Sequence, residues 1–564
     1  MVFQPILDLV QLCAQKGITE VVLSPGSRNA PLSLAFARHG KFNIRVIVDE
    51  RSAAFMALGS AQQLQKPVIL VCTSGTATLN YGPAIAEAFF SKIPLLVLTA
   101  DRPVEWIGQQ DGQAIYQQGI FGKHALLSLQ WPADWSSPDS HWYANRTANE
   151  AIQLLFEANK GPVQINIPFR EPFYPEANEA FVFNQVKEVS VLAPEFKLSA
   201  NQMHDAIQHF LKAEKVLVVV GQHEPDLELS NALYALNYYS EIPVVADVTA
   251  NVFGLEKVIK LHDWFLMDRS ADIVQELQPD LLITCGRSVL SKYLKQFLRS
   301  SNPIQHWHIQ EAGEVADSFQ SLTHIFRCEP AFFLKKLGEQ VFFSKNEAAA
   351  NYGKLWEAKE TEAKEKLAPV LKTESEAELF VVHQLLQQFP AEAVIHVGNS
   401  MPIRYVNLLQ THLKSSQTLF VNRGTSGIDG SVSTAVGAAW HTSKPVYLLL
   451  GDLSFFYDKN GLWHNYLPAN FKVVILNNSG GNIFRMIEGP SQQNELEQIF
   501  ETTHTNTSKA IADHFGIAYF NDSKGGLKEI LHRFISHTGI AILELFTDKV
   551  ENSKYFAELK SLFK

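Results

Sequence analysis

Cysteine is scarce: the chain has four among 564 residues (Cys13, Cys72, Cys285 and Cys328), widely separated and without a CxxC. That argues against a disulfide framework or a zinc–thiolate site and makes a reducing, cytoplasmic location the expectation. Long hydrophobic runs are missing as well. No apolar stretch approaches the ~18 residues of a membrane span, and the longest, such as 216–220, have strand length. Met1-Val2-Phe3-Gln4 opens without a basic region leading into an apolar one, so no signal peptide is expected. Positive charge is in deficit, with 48 Lys and Arg against 58 Asp and Glu for a net charge of −10, which argues against a nucleic-acid partner. There is no internal repeat, no low-complexity tract and no GxGxxG after any expected strand, which weakens a nucleotide-binding oxidoreductase reading. What is present is a folded composition, 46% hydrophobic and 19% charged. At roughly 150 residues per domain, the length suggests about three or four domains.

Short runs rich in Val, Ile and Leu recur at 20–23, 44–48, 67–72, 93–99 and 163–167. Segments with helical spacing, such as 52–64 and 82–90, lie between them. Continuously apolar strands alternating with amphipathic helices predict a parallel sheet buried on both faces. Pro168, Pro172, Pro175 and Pro194 then punctuate a linker. A second block has expected strands at 216–220, 243–246, 281–285 and 306–309. The charged, Ala-rich stretch from Lys345 to Leu371 predicts a solvated helix bridging domains. Ser375-Glu376-Ala377-Glu378 has the form of a capping box opening the next helix. A third block follows, with strands at 393–397, 418–421, 446–450, 472–476 and 540–545. The fold class expected is α/β, three consecutive α/β domains with parallel sheets, at 1–180, 195–345 and 375–564.

The strongest chemical signal lies in the third block. One apolar strand runs into Gly451-Asp452-Leu453-Ser454-Phe455, and the next into Asn477-Asn478-Ser479-Gly480-Gly481. Asp452 and Asn478 thus stand at the C-terminal ends of successive strands, where parallel sheets bind ligands. A carboxylate, an amide oxygen and a free backbone carbonyl near Gly480 are hard ligands suited to octahedral Mg²⁺. Asp and Asn-Gly are also ordinary turn residues. In the first block, Asp49-Glu50-Arg51 follows an apolar strand and opens a helix. An acid in that position often meets only the helix dipole. Two turns, Ser24-Pro25-Gly26-Ser27-Arg28 and Thr73-Ser74-Gly75-Thr76-Ala77, place backbone N–H groups where anions can bind. Arg28, Arg102, Arg404 and Arg423 all fall near expected strand ends. Four guanidinium groups at one crevice of an acidic protein imply a multiply anionic substrate.

Gly-Asp, two dozen residues, then Asn-Asn resembles the thiamine-diphosphate motif, with Leu453 in place of the usual second glycine. The further strings Thr99-Ala100-Asp101-Arg102-Pro103, Gly112-Gln113-Ala114-Ile115, Gly398-Asn399-Ser400-Met401-Pro402-Ile403-Arg404, Asn422-Arg423-Gly424-Thr425-Ser426-Gly427-Ile428-Asp429-Gly430 and Asn482-Ile483-Phe484 narrow the resemblance. The whole chain resembles the 2-succinyl-5-enolpyruvyl-6-hydroxy-3-cyclohexene-1-carboxylate synthase family of menaquinone and phylloquinone biosynthesis. The resemblance implies a thiamine-diphosphate-binding fold ordered as pyrimidine-binding (PYR), central and diphosphate-binding (PP) domains. It implies a homodimer or homotetramer with active sites between subunits, and thiamine diphosphate with Mg²⁺ or Mn²⁺ as cofactors. The implied reaction is decarboxylation of 2-oxoglutarate and addition of the resulting succinyl-semialdehyde carbanion to isochorismate. Matched position by position, Glu50 is the partner of N1′ on the aminopyrimidine. Asp452, Asn478 and the Gly480 carbonyl hold the metal, and Ile428 is the apolar wedge under the cofactor. Ser400, Leu453, Ser454 and Ile483 complete the cofactor contacts. Ser400, Arg404 and Arg423 hold the succinyl unit; Ser27, Arg28, Arg102, Gln113 and Lys292 hold isochorismate; Ile483, Phe484 and Ile487 form an apolar wall. Where the family often has Lys-Arg, Lys292 is followed by Tyr293, which leaves the second contact unassigned.

Two other readings stand beside this one. An acetolactate-synthase-like carboligase or decarboxylase would use small monocarboxylate donors, and a noncatalytic regulator would keep the fold without turnover.

Overall fold

The computed structural model describes residues 3–176, 179–192, 195–268, 270–343, 346–521 and 526–563; Met1, Val2, Pro194 and Lys345 lie outside them. The apolar runs form three parallel sheets. The first has the order Asn43–Val46, Glu20–Leu23, Val68–Cys72, Leu95–Asp101, Pro162–Pro168, Leu127–Gln130. The second is His324–Phe326, Gln305–Ile309, Leu281–Cys285, Val216–Val220, Val244–Ala246. The third is Thr418–Phe420, Val394–Val397, Val446–Gly451, Phe471–Asn477, Ala541–Phe546, Ala518–Asn521. Every central strand is buried nearly throughout, as crossover helices on both faces require. Beyond Pro168 the residues 169–176 and 179–192 carry no helix or strand. Part of this linker is strapped back onto the first domain, with Val189 N–H donating to Asn149 Oδ1 at 2.7 Å and Gln15 Nε2 donating to the Val186 carbonyl at 3.2 Å.

Three local expectations need correction. The strand expected at 44–48 ends at Val46, and the helix after it starts at Glu50 rather than Ser52. The helix Glu347–Lys372 is charged outside but not simply solvated: it buries Tyr352, Trp356, Ala363, Leu367 and Leu371. Trp356 sits edge-on to Phe265 and Phe297 of the central domain, so this helix is a packed amphipathic element, not a free bridge. The capping box at 375–378 does not form. The helix Glu378–Gln388 is capped by Ala377 with no side-chain bond, and the Glu378 N–H donates to Asn552 Oδ1 at 2.9 Å.

The first and third domains meet through two helices, Glu50–Leu64 and Ser431–Ala439, whose small residues bring their backbones together. A Cβ on Gly59 would lie 1.9 Å from the Thr434 carbonyl oxygen, and one on Gly437 would lie 2.0 Å from that of Met56. Ser60 Oγ donates to the Gly437 carbonyl at 3.1 Å. Alanine is the better helix former by about 1 kcal/mol, so on propensity alone Gly437→Ala would stabilise. We expect the reverse, a loss of about 1–3 kcal/mol from overpacking against main chain. Thermal or denaturant unfolding of the variant reads the sign directly.

Candidate functional site

In the third sheet Gly451 is in register with Leu476, so the chain leaves two adjacent strands side by side at Asp452 and Asn478. Asp452 begins the helix Asp452–Tyr457 and is 1% exposed. Its Oδ1 accepts the Leu453 N–H at 2.7 Å and its Oδ2 accepts the Gly480 N–H at 3.0 Å. Burial pushes this carboxyl up to about 6. His504 Nε2 lies 3.3 Å from Asp452 Oδ2, and burial lowers the pKa of its ring. Of the paired asparagines, Asn477 is structural: its Nδ2 donates to buried Glu544 at 2.7 Å. Asn478 is not. Its Nδ2 donates to Glu378 Oε1 at 2.6 Å, while its Oδ1 is buried with no hydrogen-bond partner. The Gly480 carbonyl, expected to be free, accepts the Asn482 N–H at 3.2 Å, and one of its two lone pairs remains for a further partner. Gly480 is needed for close approach, because a Cβ there would meet the Glu501 carbonyl at 2.5 Å.

Asp452, Asn478 and Gly480 line a cavity of about 170 Å³. Of the expected residues, Ser400, Ile428, Asp452, Leu453, Ser454, Asn478, Gly480, Ile483 and Phe484 face it. Ser454 Oγ donates to the Ile428 carbonyl at 2.5 Å, fixing the backbone of a residue that is 37% exposed. Ser400 precedes the helix Met401–Leu408 with φ of 74°, a left-handed backbone that is costly for a serine and found at sites where geometry is imposed. A larger cleft of about 1010 Å³ shares Met401 and Ile483 with the cavity and adds Lys292, Tyr293, Arg404 and Ile487. Arg404 donates to the Ser400 carbonyl at 2.5 Å. Arg423 donates to Asn399 Oδ1 at 3.1 Å, and Asn399 lines the small cavity. Neither arginine is ion-paired among the described residues, so their charge is available to a ligand. Lys292 opens the helix Lys292–Ser301, whose N-cap Ser291 is held by buried Asp247, which accepts its N–H at 3.2 Å, and by half-buried Asp263.

The remaining expected residues gather elsewhere, on the first domain. Arg102 donates to Ser74 Oγ at 2.9 Å and to the Gln113 carbonyl at 2.8 Å, and it pairs with Asp111. Arg28 donates to the Phe169 carbonyl at 2.9 Å and lies over the Phe173 ring. Ser27 is exposed beside it, and Glu50 is half-buried at the start of its helix. None of Ser27, Arg28, Glu50, Arg102 and Gln113 lines either cavity. The four arginines, expected at one crevice, therefore fall into two groups within a single chain, Arg28 with Arg102 and Arg404 with Arg423. Sequence reading missed Glu378, Asn399 and Asn482, all lining the small cavity. Glu378 had a signal, an acid heading the apolar run Leu379-Phe380-Val381-Val382; the two asparagines stand inside the strings quoted at 398–404 and 482–484.

One atom tests whether a cofactor's cation fits. A buried amide oxygen without a donor costs about 1–3 kcal/mol, and Asn478 Oδ1 is such an atom beside a desolvated carboxylate and a half-used carbonyl. Hard oxygen donors of this kind suit a divalent cation that keeps positions open for diphosphate oxygens. The tripartite fold and this donor set define a thiamine-diphosphate-dependent enzyme. Models described as the N-terminal domain of thiamine pyrophosphate enzymes and as their middle domain match residues 8–121 and 186–397. The chain is 42% identical to a 2-succinyl-5-enolpyruvyl-6-hydroxy-3-cyclohexene-1-carboxylate synthase of Cytophaga hutchinsonii, covering 99% of this chain and 98% of the relative. Synthases of the same name from Flavobacterium johnsoniae (36%, 98% of each chain) and Bacteroides fragilis (35%, 99% of each) match as fully. The chain belongs to the 2-succinyl-5-enolpyruvyl-6-hydroxy-3-cyclohexene-1-carboxylate synthase family. Among the described residues no helix is long and apolar enough to cross a membrane.

Proposed function

We propose that the chain decarboxylates 2-oxoglutarate and joins the four-carbon unit that remains to isochorismate, giving 2-succinyl-5-enolpyruvyl-6-hydroxy-3-cyclohexene-1-carboxylate and CO₂ in menaquinone biosynthesis. The observation that carries this reading is the convergence of Asp452, Asn478 and Gly480 on a cavity that opens beside unpaired Arg404. Thiamine diphosphate, when bound, supplies the electron sink that decarboxylation of a 2-oxo acid needs. Asp452, Asn478 and the Gly480 carbonyl would hold Mg²⁺ or Mn²⁺, whose charge would favour the diphosphate. Glu50 holds a proton at N1′ of the aminopyrimidine. Ile428 packs under the cofactor, with Leu453 and Ser454 beside it, while Ile483, Phe484 and Ile487 exclude water. Ser400, Arg404 and Arg423 grip the donor; Ser27, Arg28, Arg102, Gln113 and Lys292 grip isochorismate, with Tyr293 on the same cleft.

This assignment divides the chain into pyrimidine-binding, central and diphosphate-binding domains at 1–180, 195–345 and 375–564, and it requires a second subunit. The Glu50 half-site and the Asp452 cavity do not share a pocket in one chain, so a homodimer or homotetramer with sites between subunits reconciles them. Val48 and Tyr116, close in sequence to Glu50 and Gln113, are each more than half exposed, as an apolar contact surface would be.

The test is one incubation with thiamine diphosphate, Mg²⁺, 2-oxoglutarate and isochorismate, followed by product analysis. CO₂ release that is indifferent to isochorismate favours the acetolactate-synthase-like reading, and no CO₂ release favours a regulator. Arg404 separates donors. Leaving a charged carboxylate without its cation typically costs about 2–5 kcal/mol. Arg404→Ala should raise KM for 2-oxoglutarate sharply, leave thiamine diphosphate affinity near its original value, and shift preference toward 2-oxobutyrate. An unaltered ratio of the two donors removes Arg404 from the distal carboxylate.

A further inference from the structure

We propose that Glu378, a residue outside the cofactor and substrate strings described above, is a positioning residue that fixes the orientation of the Asn478 side-chain amide so that its oxygen, not its nitrogen, faces the small cavity. The inference rests on the cation-binding reading of that cavity. An asparagine amide is nearly symmetric in shape, and nothing in its own bonding decides which end points where. A carboxylate accepts hydrogen bonds but has none to give, so a carboxylate on one side of the amide forces the NH₂ toward itself. Glu378 does this at close range, 2.6 Å from Oε1 to Asn478 Nδ2. Asn478 Oδ1 is left on the other side, buried and without a partner.

Glu378 is itself held through both its side chain and its backbone. Thr547 Oγ1 donates to the same Oε1 at 3.1 Å. The Glu378 N–H donates to Asn552 Oδ1 at 2.9 Å, and Asn552 Nδ2 donates to Thr547 Oγ1 at 3.1 Å. These bonds close a ring of three residues from two helices and the loop after the last strand. Glu378 is 1% exposed and lines the cavity with Asp452. Burying a carboxylate is expensive unless it is hydrogen-bonded, and here the Asn478 amide and the Thr547 hydroxyl supply the donors.

Removal of residues that orient a metal ligand typically weakens metal affinity 10–100-fold. The measurement is direct binding, by titrating Mg²⁺ against intrinsic fluorescence at fixed thiamine diphosphate and by following Mn²⁺ with electron paramagnetic resonance. Glu378→Ala should raise the cation dissociation constant about 10–100-fold, with far-UV circular dichroism unchanged. Glu378→Leu, which keeps volume and burial, replaces it if the alanine variant does not fold. Glu378→Gln keeps an acceptor but adds a donor, so its affinity should fall between that of the original and that of the leucine variant. The decisive arm is a double-mutant cycle. In an Asn478→Asp background both ends of the side chain are oxygen, orientation no longer matters, and removing Glu378 should cost nothing further. Unchanged affinity in Glu378→Ala or Glu378→Leu, equal losses in the glutamine and leucine variants, or the same loss in the Asn478→Asp background each overturn the proposal. If the unaltered protein shows no Mg²⁺-dependent binding of thiamine diphosphate, the cofactor reading has failed and takes this inference with it; if it binds and only the variants are silent, the inference alone has failed.

Discussion

Glu50→Gln should yield a folded chain that still binds thiamine diphosphate but turns over at less than a tenth of the original rate. The fold is expected to survive because the start of this helix is anchored by its neighbours. Asp49 caps it, accepting the Ser52 N–H at 3.2 Å, and also accepts from Asn460 Nδ2 at 2.8 Å. Arg51 donates to the Tyr457 carbonyl at 2.8 Å and lies over the Tyr457 ring. Both bonds reach the third domain, so the helix N-terminus is pinned on either side of position 50. No hydrogen bond or ion pair of the Glu50 side chain is found among the described residues, which leaves the carboxyl free for a ligand. Glutamine matches its size but cannot share a proton with a ring nitrogen, so the loss should fall on turnover rather than on binding. A tenfold loss corresponds to about 1.4 kcal/mol in the activation barrier. Steady-state CO₂ release, thiamine diphosphate titration and a melting curve on the same preparation separate the possibilities. Activity above a tenth of the original means that Glu50 does not hold the proton, and lost cofactor binding or a collapsed melting curve means that it is doing something structural.

The parts of this molecule that were legible in its sequence are those in which one local pattern has one physical solution. Val68–Cys72, Val216–Val220 and Phe471–Asn477 are apolar on both faces because both faces are covered, and that pattern survives without any knowledge of neighbours. Edge strands lack this double cover. Leu127–Gln130 and His324–Phe326 are only partly buried along their lengths, carry polar residues, and do not stand out as strands. Asp452 and Asn478 could be placed together because strand ends in a parallel sheet face one way. Glu378 could not: it lies 100 residues from Asn478, and only the packing of its helix against the loop after the last strand brings the two within 2.6 Å. The same limit applies to the arginines. Spacing put all four near strand ends, but which strand ends share a crevice is decided by how domains dock, and within one chain they form two groups. Glu347–Lys372 misled for a different reason, since its charged and Ala-rich surface hides a stripe at Tyr352, Trp356, Ala363 and Leu367 that is fully used in packing.

Asp452→Ala should weaken the divalent cation and thiamine diphosphate together. The carboxylate stands at a strand end whose geometry the backbone fixes: Leu453 and Gly480 N–H groups hold its two oxygens, one each. That leaves the aspartate rigid, desolvated and aimed, the condition under which a hard ligand adds most to cation affinity. Burial has pushed its carboxyl up to about 6, and a nearby cation would offset that desolvation. Because the ion would bridge protein and diphosphate, removing one protein ligand is felt by both. The expected pattern is a coupled one: the apparent affinity for thiamine diphosphate falls at low Mg²⁺ and recovers in part as Mg²⁺ is raised. Mn²⁺, which also takes oxygen donors, should show the same coupling. Titrating the cofactor at several concentrations of each ion measures it. If Asp452→Ala binds cation and cofactor as the unaltered chain does, Asp452 is a strand-end turn residue and the cation must be sought elsewhere.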